Sequence, residues 1–123
     1  MLLDNFYQIQ EIAEREAHSW LFTIEFNPNH AIYQGHFPGH PVVPGVCTLQ
    51  TIKECAELIL KSDLTFSQIQ SCKVLSAINP SERSLLELTI TLKDDDTEQF
   101  RIQAEGNWKG KEAIKLKALL ANK

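Results

Sequence analysis

"YQGHFPGHPVVPGVCTLQTIKECAELIL", residues 33–60, decides how this chain is read. Pro38, Pro41 and Pro44 recur at every third position, with Gly35, Gly39 and Gly45 interleaved. Each proline fixes one φ angle and removes one N–H donor. A plain connector has no need of such stiffness, so the loop is read as backbone held in place to position something. After Pro44 the pattern changes. Helices commonly begin just after a proline, and on a 3.6-residue wheel Leu49, Ile52, Cys55, Ala56, Ile59 and Leu60 share one broad face. Gln50, Lys53, Glu54, Glu57 and Lys61 form the opposite, polar face. The spacing predicts a helix over 45–61 whose apolar side packs on a sheet.

The flanks supply that sheet. Trp20, Phe22, Ile24 and Phe26 alternate with polar neighbours, as do Leu86, Leu88, Ile90 and Leu92. Phe100, Ile102, Ala104 and Trp108 repeat the pattern, and so do Ile114, Leu116, Ala118 and Leu120. Period-two alternation marks strands with one buried and one wetter face. "NPSE" (79–82), "KDDDTE" (93–98) and "WKGKE" (108–112) carry turn chemistry between them. Such short breaks make neighbouring strands antiparallel. Residues 6–14 suit helix and strand periods alike and are read as a strand. The fold class is α+β: one helix against an antiparallel sheet of five to six strands.

Composition narrows the function. A length of 123 residues fits one domain, 1–123, with its own core. The net charge of −4 argues against nucleic acid, which rewards a basic surface. No window is apolar enough for a membrane helix, and the start lacks the basic and apolar regions of a signal peptide. A cytoplasmic protein is expected. Cys47, Cys55 and Cys72 are odd in number and form no CxxC, so three reduced thiols are expected and no metal site is indicated. His18 and His30 have no Cys or carboxylate partner at a metal-ligand spacing; His30 is read as a turn residue, His18 as a strand or hairpin residue, and His40 as a solvated loop residue.

Gly45 and Val46 would present free N–H groups at the helix N-terminus, where the macrodipole favours negative charge. That suits a developing oxyanion. His36 lies nine residues earlier and titrates near neutral pH. A histidine base beside an oxyanion site is a way to do carbonyl chemistry.

"GHFPGHPVVPGV", residues 35–46, resembles the GHFPGxPxxPGV signature of the 3-hydroxyacyl-acyl-carrier-protein dehydratases. The resemblance extends over nearly the whole chain: an upstream strand pair, the loop, the helix and four later strands. It implies the hot-dog fold, a curved sheet wrapped around a central helix. It implies dimers with active sites at the subunit interface, no cofactor, and as substrate an acyl chain on the phosphopantetheine arm of acyl carrier protein. By the same resemblance His36 would take a proton from C2 of the thioester. The N–H of Gly45, with Val46, would polarise the thioester carbonyl. Phe37, Val42 and Val43 would line an apolar acyl tunnel, although Phe37 serves equally as an ordinary core residue.

The chain departs from the signature fourteen residues after His36. Family members carry Glu or Asp there, to handle the leaving 3-hydroxyl; this chain has Gln50. A carboxamide has no acidic proton to give, and general acid–base help is worth roughly 10²–10⁴ in rate. Glu54 stands one turn on, where the family usually has Gln, so the pair is exchanged. One turn is about 5.4 Å, too far for an unchanged substrate pose. Glu54 is therefore either a displaced acid or a polar-face residue paired with Lys61 or a neighbour.

Three readings follow. The protein is a dehydratase using His36 with Glu54 or with water held by Gln50. Or it is a half-catalytic subunit, completed by a related, carboxylate-bearing hot-dog chain. Or it is a hot-dog thioesterase, which the signature loop argues against. A homodimer or a heterodimer is expected. Lys111, Lys115 and Lys117 share one strand face and are read as solvated, with contact to an acidic carrier protein as the alternative.

Overall fold

The computed structural model describes residues 5–34, 41–82, 84–95 and 97–123. Its elements run β1 (Tyr7–Glu14), β2 (Ser19–Phe26), a 3-10 turn (Ala31–Tyr33), α1 (Gly45–Leu60), β3 (Leu64–Val74), β4 (Leu86–Asp94), β5 (Gln99–Trp108) and β6 (Lys111–Asn122). All strand pairings are antiparallel, in the order β1-β2-β4-β5-β6-β3. Residues 6–14 are strand rather than helix, as read. The whole is the hot-dog arrangement, one helix against a six-stranded sheet.

The alternation in the sequence becomes rows of side chains across the sheet. Phe22 pairs with Leu88, Leu88 with Gly106, and Gly106 with Ile114. A parallel row runs Trp20, Ile90, Ala104, Leu116. Ile52, Cys55 and Ala56 of α1 join the same core, each fully buried. Lys61 ends the helix in the left-handed conformation (φ 54°, ψ 47°), and its N–H returns to the Glu57 carbonyl.

The supposed polar face of α1 is open to water only at its end, at Lys61, while Gln50 and Glu57 are half-buried. Lys53 and Glu54 are 9% and 3% exposed. The sheet curls far enough for both of its edge strands to meet this side of the helix. At the start of β3, Leu64 is held by both backbone groups: its N–H donates to Glu57 Oε2 at 2.9 Å, and its carbonyl accepts from Lys53 Nζ at 3.2 Å. On β1, Tyr7 Oη donates to Glu54 Oε1 at 2.7 Å. The amphipathic pattern is real, but the polar side chains staple strand edges instead of facing solvent.

Alternation alone misses β3. From Thr65 onward most of its residues are exposed, and Ile69, Val74 and the following Leu75 are exposed apolar side chains. The two sheet edges differ. β1 carries Glu11 and Glu14, charges that discourage edge-to-edge pairing. β3 carries Lys73 as its sole charge, although two register shifts against β6 interrupt it. Among the described residues no helix is long and apolar enough to cross a membrane.

Gly106 is where the core tolerates no added atom. A Cβ there would lie 2.8 Å from Ile114 Cγ2 and 3.2 Å from Leu88 Cδ2. Gly106→Ala is expected to destabilise the fold by about 1–3 kcal/mol, the usual cost of overpacking, read as a lower urea midpoint with an unchanged slope. A midpoint equal to that of the parent protein would mean that the row has slack.

Candidate active site

The loop that enters α1 is pinned where it is described. Val43 N–H donates to the Ile78 carbonyl at 2.9 Å, tying residues 41–44 to the connection between β3 and β4. Pro44 is the N-cap, with extended backbone and no side-chain cap. Its carbonyl accepts from Cys47 and Thr48 at 3.0 and 3.1 Å. The N–H groups of Gly45 and Val46 find no acceptor among the described residues. Orphan N–H groups at a helix start are suited to an anion or a polarised carbonyl. The Val46 side chain is 74% exposed, so this terminus stands open.

Beneath it lies an apolar cavity of about 380 Å³. Val42, Val43 and Gly45 line it from the loop side, Val74 and Leu75 from the end of β3, and Ile114 from β6. Three of the residues read from the sequence as substrate-binding thus meet at one cavity. The strand side was not anticipated, because β3 has no alternation to reveal it. His36 and Phe37 lie outside the described residues, as does His40.

Gln50 and Glu54 meet directly. Gln50 Nε2 donates to Glu54 Oε2 at 2.9 Å, while Tyr7 occupies Oε1. Both carboxylate oxygens are therefore engaged, inside a side chain almost wholly removed from water. Glu54 is not paired with Lys61, and it is not an open polar-face residue. No local signal in the sequence could have named Tyr7, which is 47 residues from Glu54. Its place on β1 becomes meaningful only once the sheet curls round the helix.

Burial shapes the titrating groups nearby. Desolvation first, and then the bond to Glu54, push the Tyr7 phenol well above its ordinary range. Desolvation also pushes up Tyr33, which stacks on Phe6 and buries a hydroxyl with no hydrogen-bond partner among the described residues. The Cys55 thiol is pushed up to about 12 by burial and by the charge of Glu54. Cys47 is buried and raised as well, so both helix cysteines are packed as reduced thiols. His30 accepts the Ile32 N–H through Nδ1 and caps the 3-10 turn; His18 sits at a positive φ in the β1–β2 hairpin. Lys111, Lys115 and Lys117 are exposed, and Lys115 reaches Glu112 at 3.5 Å.

Comparison with known proteins gives a consistent frame. The family model for ApeI-like proteins, described as ApeI dehydratase, matches residues 11–112. The 3-hydroxyacyl-acyl-carrier-protein dehydratase FabZ of Aliarcobacter butzleri is 36% identical over 69 residues, covering 46% of this chain and 47% of that protein. The FabZ of Ehrlichia canis is 25% identical over 126 residues, covering 80% and 85%. The chain thus spans about half the length of the Aliarcobacter relative. Among solved structures, the dehydratase heterocomplex ApeI:P from Xenorhabdus doucetiae has a TM-score of 0.78 at 21% identity, covering 94% of this chain and 97% of that one. A hypothetical thioesterase with coenzyme A from Streptococcus pneumoniae reaches 0.64 at 12% identity, covering 95% and 85%. At these identities the structural likeness shows the fold.

The phenols give a direct test of the geometry. Both tyrosines of the chain have raised values when folded, so the stability they contribute is fully present below about pH 10, the ordinary phenol value. It is lost as pH rises further, because the unfolded chain releases those protons first. Phenolate absorbance is expected to stay silent in the native protein near pH 10 and to appear only with alkaline unfolding. A phenol titrating at its ordinary value in the folded protein, and absent in Tyr7→Phe, would show that the bond to Glu54 does not form.

Proposed function

The chain belongs to the family of ApeI-like dehydratases, and from that premise we propose that it is one subunit of a 3-hydroxyacyl-acyl-carrier-protein dehydratase whose acid is supplied by a second, carboxylate-bearing hot-dog chain. The observation that carries this reading is the buried Glu54, with both oxygens taken by Tyr7 and Gln50. A carboxylate buried to 3% exposure and bonded on both oxygens is turned away from a leaving hydroxyl, and the position one turn before it holds a carboxamide.

In this reading His36 takes the C2 proton of the 3-hydroxyacyl thioester. The N–H groups of Gly45 and Val46 receive the thioester oxygen as charge develops on it, from a helix terminus that needs no rearrangement to do so. The apolar cavity at Val42, Val43 and Ile114 takes part of the acyl chain or its pantetheine arm. Proton delivery to the departing hydroxyl comes from the partner's carboxyl, and water and the trans-2-enoyl thioester leave. A pair of this kind holds one full site, because the reciprocal site presents Gln50.

The surface supports a partner. The β3 edge is long, nearly uncharged and flanked by exposed Ile69, Val74 and Leu75. Unpaired N–H and C=O groups along such an edge are a template for another strand. The Xenorhabdus protein of the same fold is itself a heterocomplex, which favours two chains over one.

The test is dehydration of a 3-hydroxyacyl-acyl-carrier protein, read by mass spectrometry. The protein alone is expected to be nearly inactive. Exchanging the pair, Gln50→Glu with Glu54→Gln, is expected to raise turnover by about 10²-fold or more, the worth of a general acid. The exchange is preferred to Gln50→Glu alone, because two carboxyls at the present 2.9 Å contact would have to share a proton. His36→Ala should abolish the gained activity. Full turnover by the unaltered protein alone would show that it needs no partner, and release of a free acid would make it a thioesterase.

A further inference from the structure

The contact between Gln50 and Glu54 fixes more than a distance, because the two groups offer different chemistry. An ionised carboxylate can only accept hydrogen bonds. A carboxamide carries two donors on one end and an acceptor on the other. Glu54 Oε2 can therefore be satisfied by the Nε2 end of Gln50, as observed at 2.9 Å, and not by Oε1. A flipped amide would lose a charge-assisted bond and set two oxygens against each other. Rotation of the carboxylate offers no escape, since Tyr7 donates to Oε1 at 2.7 Å and Glu54 is 3% exposed. The Tyr7 phenol keeps its proton through the neutral range, so it stays a donor. Gln50 itself is only partly buried, and its Oε1 has no partner among the described residues.

We propose that Glu54 and Tyr7 are positioning residues that hold the Gln50 carboxamide with its nitrogen inward and its oxygen outward, so that this half-site binds the hydroxyl of a 3-hydroxyacyl thioester as a hydrogen-bond donor without protonating it. This rests on the reading above, in which Gln50 takes the acid's place in the reciprocal site, where a 3-hydroxyl would arrive. The consequence is a selectivity. An acid at this place serves the leaving group by giving a proton. An outward amide oxygen can only receive one in a hydrogen bond, which holds the hydroxyl in its alcohol form. The enoyl product and the saturated chain have no hydroxyl to offer. The half-site therefore retains 3-hydroxyacyl chains and releases the others, which is binding selectivity rather than turnover.

The experiment uses amide-linked pantetheine conjugates, whose C2 proton is too weakly acidic for elimination, so that binding is read without chemistry. The 3-hydroxyoctanoyl and octanoyl conjugates differ by the hydroxyl alone. Calorimetry on the intact protein is expected to show the hydroxy ligand bound about three- to tenfold more tightly, the worth of one neutral hydrogen bond. In Tyr7→Phe and in Glu54→Leu, which leaves the Gln50 amide no acceptor, that ratio should fall toward one, while the affinity for the octanoyl conjugate stays within about twofold. A merely structural role would weaken both ligands together, and that result overturns the proposal. So does a ratio of one in the unaltered protein, or a ratio retained in Glu54→Leu.

Side-chain amide NMR reads the orientation without any ligand. The Gln50 NH₂ group, assigned by its loss in Gln50→Leu, should have one proton shifted downfield and slowed in exchange, and should lose both properties in Glu54→Leu. An NH₂ group exchanging like that of an exposed glutamine overturns the positioning role. A held NH₂ group in a protein that binds neither conjugate would instead overturn the placement of Gln50 at the hydroxyl, and with it the function proposed above.

Discussion

A buried carboxylate organises this protein. Removing an ionised carboxyl from water costs on the order of several kcal/mol unless its oxygens are bonded, and Glu54 is bonded on both sides. Its donors come from different layers of the fold: Gln50 from the helix itself and Tyr7 from the first strand of the sheet. Tyr7 reaches Glu54 only if β1 curls around the helix. The bond thus links the curvature of the sheet to the face of the helix that carries the site. Lys53 and Glu57 make the matching connection on the other side, by holding both backbone groups of Leu64 where β3 begins. The helix is clamped by its polar residues as well as packed by its apolar ones.

What the sequence disclosed follows from this arrangement. Strands β2, β4, β5 and β6 alternate visibly because each has one dry and one wet face, and the rows through Leu88, Gly106 and Ile114 are the structural image of that alternation. The helix was legible from Pro44 and the apolar stripe. β3 was not legible by period, because much of it is exposed on both faces and carries no repeat. The residues opposite the apolar stripe were misread for a related reason. A helical wheel assumes that a polar face meets water, whereas a strongly curved sheet brings its edges to that face. Charge on a helix then signals a strand to be held, which no window of neighbouring residues can show.

The site divides in the same way. Gly45 could be named from the helix start, and Val42 and Val43 from the resemblance of the loop to the family signature; all three line one cavity. The other wall, from Val74 to Ile114, is assembled by the β3–β6 pairing and leaves no trace in the loop itself. The exchanged pair was visible as an oddity at Gln50 and Glu54. Its meaning was hidden, because it depends on Tyr7, which is far away in the chain.

That dependence explains how an acid could be exchanged for an amide without loss of the fold. Glu and Gln one turn apart form a hydrogen-bonded couple in either order, so the helix is indifferent to the exchange. The environment is not. With the present order the charge lies inside and must be satisfied there, which the Tyr7 hydroxyl does at 2.7 Å. The outer position is left with a neutral acceptor. The tyrosine and the amide at position 50 are therefore two sides of one arrangement: the carboxylate is satisfied inside, against β1, and the outer position holds a partly buried carboxamide.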